Sequence, residues 1–356
     1  MFSKNETSSL VISTGTMIRA VLVALGVFLL WYLRDLVLVL LTAIVIASFV
    51  ESALPYFKKA GINRVFAVII LYVIGFLVLS ALFYLFAPLL ITELYNFSTF
   101  ISSYIPGVAF LDFFQNEAFS GAKDIVGNLS NGLSLATLLS ISKAFVTNLS
   151  GGFFQTFSAI FGSIFNFVLI VLLSFYLSIQ EKGIEGFIRI VVPLDYEDYV
   201  VDLWERSSKK IGLWVHGQVV LALVVAVLVY LLLSLLGIEY ALLLSIIAGV
   251  MELVPYGVLV ALIPAFSFSY ISDGLSTALL VSGAYLIIHE FEVFLFTPLI
   301  INKVVGLSPI VIILSIVIGF ELLGIWGAFI AIPVAVIFME FLNDVEKHKI
   351  SARSTK

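Results

Sequence analysis

Three ionisable side chains, His289, Glu290 and Glu292, stand together inside an apolar run that extends from residue 275 to 301. Two further acids, Glu252 and Glu321, lie within other long apolar runs, each just before a glycine-containing interruption. A charge held in the middle of a bilayer costs at least about 2.5–3.5 kcal/mol on insertion scales, so such groups are retained where they face a polar cavity or each other. The chemistry open to them is uptake and release of a proton or monovalent cation, or hydrogen bonding to a polyhydroxylated solute. The bland alternative for His289, Glu290 and Glu292 is a position near the membrane interface, beside Asp273 and Lys303. For Glu252 and Glu321 it is capping of the half-helix that follows. Residues two apart on a helix point in different directions, so at most one of Glu290 and Glu292 faces a shared cavity.

The interruptions are the second element. Residues 244–265 read LSIIAGVMELVPYGVLVALIPA and residues 314–335 read LSIVIGFELLGIWGAFIAIPVA. A shift of seventy superposes Ser245 on Ser315, Gly249 on Gly319, Gly257 on Gly327 and Ala261 on Ala331, while Glu252 and Glu321, and Pro264 and Pro333, match at sixty-nine. Pro255, Tyr256 and Gly257 mark the first break, and Gly324, Trp326 and Gly327 the second. Proline removes an amide and glycine permits positive φ, so both suit a hinge; small residues equally suit close helix packing. Paired, interrupted apolar segments point to the binding site of a secondary transporter.

These residues need a membrane scaffold. The chain is 62% hydrophobic and 12% charged, against about 25% charged for a soluble domain. Its apolar runs are continuous, unlike the alternating strands of a membrane barrel. The expected fold is all-α and polytopic, with about six full spans and two re-entrant hairpins that form an inverted repeat. Five regions follow: N-terminal scaffold helices, 1–91; an extracytoplasmic amphipathic segment, 92–152; a fourth span and a cytoplasmic amphipathic helix, 153–212; the transport core, 213–341; and a tail, 342–356. With both termini in the cytoplasm, Arg34, Lys123 and Lys143 lie outside and the other fifteen basic residues inside. The polar N-terminus shows no short apolar run with a small-residue cleavage site, so no cleaved signal peptide is expected.

Other chemistries fit less well. The chain has no cysteine, which excludes thiolate metal sites and thiol catalysis. His289-Glu290 lacks the second histidine of a zinc protease motif, and no Walker A sequence occurs. No enzyme activity, cofactor, metal or nucleic-acid partner is expected. The sequons at Asn96, Asn128 and Asn148 fall in a Ser/Asn-rich stretch and read as coincidence. The spacing of Phe110, Phe113, Phe114, Ile125, Leu129 and Leu133 suggests interfacial amphipathic helices that cap the bundle.

As a set, these motifs resemble the AI-2E (autoinducer-2 exporter) family. The resemblance rests on Glu292 and Pro298 with five residues between them, on Gly306-Leu307-Ser308-Pro309, on Gly324-Ile325-Trp326-Gly327 with Pro333 beyond, on Pro255-Tyr256-Gly257, and on Gly217-Gln218. It implies membrane transport in the bacterial cytoplasmic membrane. Members are associated with export of a signalling furanone or with Na⁺(Li⁺)/H⁺ exchange, which makes Na⁺ and H⁺ the candidate coupling ions. The resemblance also selects Glu292 over Glu290. Together with the extended scaffold it suggests a homo-oligomer, for which a pentamer is one option. Three readings stay open: export of a small polar organic molecule, cation/proton exchange, and a membrane scaffold without transport.

Overall fold

The structure is a computed structural model that describes residues 14–104, 153–180, 183–300 and 306–354. The amphipathic helices expected around Phe110–Leu133, the sequons at Asn128 and Asn148, and Lys303 lie outside those residues.

The described chain is helical and contains no strand. Helices α1 (Thr14–Tyr32), α2 (Arg34–Lys59), α3 (Arg64–Tyr104) and α4 (Phe153–Ile179) make the N-terminal part. Next come α5 (Gly183–Val191), α6 (Leu194–Leu235), α7 (Ala241–Met251), α8 (Gly257–Asp273) and α9 (Leu275–Phe291). A π-helical turn (Glu292–Phe296) leads into α10 (Thr297–Ile300), and α11 (Pro309–Ser354) closes the chain. Five helices are long and apolar enough to cross a membrane, and a sixth span results if α4 and α5, bent by 87°, count as one. The chain is therefore an all-α, multi-pass membrane protein. The amphipathic stretch 195–212 is continuous with the apolar stretch after it, both within the 42-residue α6. Pro55 does not end α2, which runs on to Lys59.

Helix α6 is the axis of the fold. Its first half packs on α2 through Ser48 and Ser208, whose hydroxyls are 3.0 Å apart. Gly212 permits that approach, because a Cβ there would stand 2.3 Å from the Ser48 carbonyl. Its second half buries Leu221, Val225, Val229 and Leu233 against α7, α8 and α9. At its polar end, Arg206 donates to Asp344 (2.7 Å) and to Glu340 (3.2 Å), and Lys210 also pairs with Glu340. That network ties α6 to the end of α11.

Two chain reversals follow. In the first, Tyr240 at the start of α7 meets Phe268 near the end of α8, with ring centroids 5.0 Å apart. The two helices therefore run antiparallel as a hairpin. In the second, α11 breaks at Gly324 (φ 64°, ψ −150°), a conformation essentially confined to glycine. The chain folds back there, so that a Cβ on Gly327 would lie 2.0 Å from the Gly319 carbonyl, and one on Gly319 would lie 2.8 Å from the Ala331 methyl. The matched glycines thus act differently in the two hairpins. Gly319 and Gly327 let the arms of the second hairpin touch, whereas Gly249 packs against Ala226 of α6 and Gly257 closes the first turn.

Candidate functional site

The site is built on the break between α7 and α8. Helix α7 stops at Met251, and the next residues turn tightly, with Val254 N–H donating to the Met251 carbonyl (3.0 Å) and Gly257 N–H to that of Val254 (2.9 Å). Pro255 has no amide to donate, which suits a break. Gly257 has no room for a side chain, since a Cβ would stand 1.8 Å from the Met251 carbonyl. Tyr256 sits in the left-handed region (φ 67°), as does Tyr240 (φ 58°) before α7. A left-handed L-residue costs roughly 1–2 kcal/mol, so the surroundings must over-determine the position of Tyr256. Its ring meets that of His289 edge-on, 5.7 Å between centroids.

Glu252 starts the turn and is fully buried. Its Oε2 accepts the Val258 amide (2.9 Å), which caps the otherwise orphaned N-terminus of α8. Its backbone carbonyl accepts a hydrogen bond from the Gln218 side-chain amide of α6. Glu252 Oε1 and Gln218 Oε1 are both buried without a hydrogen-bond partner. Unpaired buried oxygens are costly and call for an explanation.

Glu292 closes the arrangement. It stands at the start of the π-helical turn, is 3% exposed, and is the direct electrostatic neighbour of Glu252. Its Oε2 lies 3.2 Å from His289 Nδ1. π-Helical turns frequently mark functional sites, and here the extra residue falls where the carboxylate enters the interior. A cavity of about 480 Å³ adjoins it, lined by Trp214, Gln218, Leu221, Pro255, Tyr256 and Glu292, and also by Thr297, Ser308 and Pro309. Among the described residues, no lysine or arginine lines it.

The structure therefore brings together Glu252, Glu292, His289, Pro255, Tyr256 and Gly257. It does not bring in Glu290, which is exposed, or Glu321, which is exposed on α11. Of the hinge residues, Gly324 forms the second break, Gly327 lies buried in its hairpin, and Pro333 is buried within α11. Trp326 is 61% exposed, and Pro298 is half-buried just past the π-helical turn. Gln218 and Trp214 were not expected among the site residues. For Gln218 a signal exists: a lone amide within an apolar span needs a partner inside the bundle. Trp214 gives no such signal, because a tryptophan near a span end is ordinary. Among the described residues, no cluster of three or more His, Asp or Glu side chains is arranged to hold a metal ion.

Comparison with known proteins bears on what this arrangement does. The family model described as AI-2E family transporter matches residues 20–347. The chain is 28% identical over 217 residues to "Putative transport protein YueF" of Bacillus subtilis (strain 168), covering 59% of this chain and 58% of that one. It is 28% identical over 182 residues to "Putative permease PerM" of Escherichia coli (strain K12), covering 49% and 50%. A third relative, "Putative transport protein YrrI" of Bacillus subtilis, is 27% identical over 144 residues, 39% and 40% of the two chains. The matched portions thus span between two-fifths and three-fifths of these curated relatives.

Proposed function

The chain belongs to the AI-2E transporter family, and from that premise we propose that it is an ion-coupled secondary transporter that exports a small polar organic solute. The observation that carries the reading is the side-by-side burial of Glu252 and Glu292 at a helix break beside a cavity. Two neighbouring carboxylates in a water-poor site repel each other when both are ionised, so a proton or a cation has to accompany them. Loss of that ion changes the charge of the cavity wall, at Glu292, and the cap of α8, at Glu252, together, because the two carboxyl groups are neighbours. Solute binding and ion binding are then linked through this pair.

The frame we propose for this is the bacterial cytoplasmic membrane, with both termini in the cytoplasm and both hairpins re-entrant. The second half of α6 with the first hairpin, and α9 with the second, form the two halves of an inverted repeat. The subunits form a homo-oligomer.

A second reading, Na⁺(Li⁺)/H⁺ exchange, is favoured by one observation. Glu252 Oε1 and Gln218 Oε1 are unpaired oxygens in one buried region, the ligand type that a small hard cation takes. Proteoliposomes carrying a pH-sensitive dye separate the two readings. Proton movement driven by a Na⁺ gradient alone, and lost in Glu292→Gln, supports exchange. If the signalling furanone or another polar solute is required for proton movement, export is supported. Proton or solute flux that is unchanged in Glu292→Gln removes the carboxylate pair from the mechanism.

A further inference from the structure

The proposed function leaves the charge of the solute open, and the cavity wall bears on it. Among the described residues, its one charged lining residue is Glu292, and no lysine or arginine lines it to meet an anion. The titratable groups facing Glu292 are Glu252, from the break before α8, and His289, one turn back on α9. Among the described residues, the other elements packed around it contribute no basic partner. Helix α6 supplies Gln218 and Trp214, and the start of α11 supplies Leu307, Ser308 and Pro309. Much of the remaining wall is apolar or aromatic, with Leu221, Val293, Ile312 and Ile332 beside Trp214 and Tyr256. Tyr256, one of the lining residues, is held at positive φ, the kind of outlier that marks a functional constraint.

We infer that the transported solute is a small organic cation, an amine or quaternary ammonium with an apolar body, that binds between the aromatic wall and Glu292. This rests on the proposed function and narrows its substrate class. A carboxylate or phosphate solute would meet Glu292 with Glu252 behind it, and the base beside them, His289, is already bonded to Glu292. A neutral solute could hydrogen-bond to Gln218, Ser308 and Thr297 but would leave the two acids with His289 alone beside them. An ammonium supplies a further positive charge for the pair of acids, and aromatic faces attract it, most strongly when it is desolvated. Its arrival displaces the proton that the carboxylates hold, so solute and proton exclude each other. The mutual exclusion is itself the coupling: the cation enters one side as the proton leaves, and the reverse occurs on the other. Each exchange swaps one positive charge for another and is electroneutral.

The test uses the full chain purified in detergent, with choline and its uncharged isostere 3,3-dimethyl-1-butanol as probes. Titration calorimetry in two buffers of different ionisation enthalpy reads affinity and proton release together. The expected result is that choline binds about tenfold or more tightly than the alcohol, with protons released to the buffer. Glu292→Gln should remove both the preference and the proton release. Tyr256→Leu should weaken choline while leaving the alcohol unchanged, and Tyr256→Phe should behave as wild type. The wild-type comparison needs no variant to fold. Equal affinity for the two probes, absence of choline binding, or choline binding without proton release overturns the inference. If a neutral solute is instead carried by a pH gradient and that flux needs Glu292, the inference falls while the proposed function stands. If solute flux is indifferent to Glu292→Gln, the proposed function falls as well.

Discussion

Gly257→Ala is the smallest substitution that should disable the protein. The added Cβ would stand 1.8 Å from the Met251 carbonyl oxygen and 2.7 Å from the Glu252 amide nitrogen, where real Cβ contacts essentially never fall below 3.0 Å. The turn must therefore open by about 1.2 Å at the carbonyl, and both close atoms are backbone. That movement acts on the bond from the Val258 amide to Glu252 Oε2, now 2.9 Å long and adjacent to the turn. Overpacking costs about 1–3 kcal/mol. Loss of a hydrogen bond to a charged group costs about 1.5–3 kcal/mol more. Together these amount to about 2.5–6 kcal/mol against the closed turn, or roughly two to four orders of magnitude in its population. The assay is paired: melting in detergent followed by size-exclusion recovery, and flux in proteoliposomes. Gly75→Ala is the matched control, since Gly75 lies within α3 with open space around it. There the same substitution should be neutral or stabilising, by up to about 1 kcal/mol. Wild-type melting and flux in Gly257→Ala would refute the claim that the tight turn holds the carboxylate in place.

Gly324→Ala should also reduce flux, through a strain of about 1–3 kcal/mol from its positive φ and not through crowding, and wild-type flux in that variant would contradict this. Gly327→Leu should block flux by forcing the arms of the second hairpin apart, and wild-type flux in the folded variant would contradict that. Arg206→Ala should lower the melting temperature, because Glu340 and Asp344 are both buried and lose their shared cation; Arg206→Lys should rescue only partly, since it cannot repeat the two-pronged contact with Asp344. Single cysteines test the topology: one at Asp273 should label from outside and one at Asn302 from inside, and inside-only labelling at Asp273 would remove the first re-entrant hairpin.

Much of this fold is written in the apolar runs, because a membrane span must satisfy its own backbone and so needs a long uninterrupted stretch. The separation of Glu292 from Glu290 was equally legible, since two residues of helix turn a side chain by about 200°. The structure shows the outcome, with Glu292 inside and Glu290 out. The pairing of Glu252 with Glu321 shows where the pattern misleads. The glycines that shape the hairpins match at a shift of seventy, but the two acids match at sixty-nine. One residue is about 100° of helix rotation. In the glycine register Glu321 stands opposite Met251, and the structure leaves it exposed while Glu252 is buried. The π-helical turn and the left-handed Tyr256 were not legible, because each depends on what the rest of the fold presses against it. Gln218 falls between these cases: its polarity in an apolar helix was visible, but its partner, a backbone carbonyl thirty-four residues on, was not.

The central claim is that the buried carboxylate pair takes up and releases the coupling ion, and the most direct measurement is of protons in a sealed system. Wild-type, Glu292→Gln and Glu290→Gln chains are reconstituted at equal density in proteoliposomes with a lumenal pH dye, and a Na⁺ gradient or a gradient of organic solute is applied. Protons should move in the wild type and in Glu290→Gln, and should not move in folded Glu292→Gln. Proton movement at the wild-type rate in Glu292→Gln would contradict the claim.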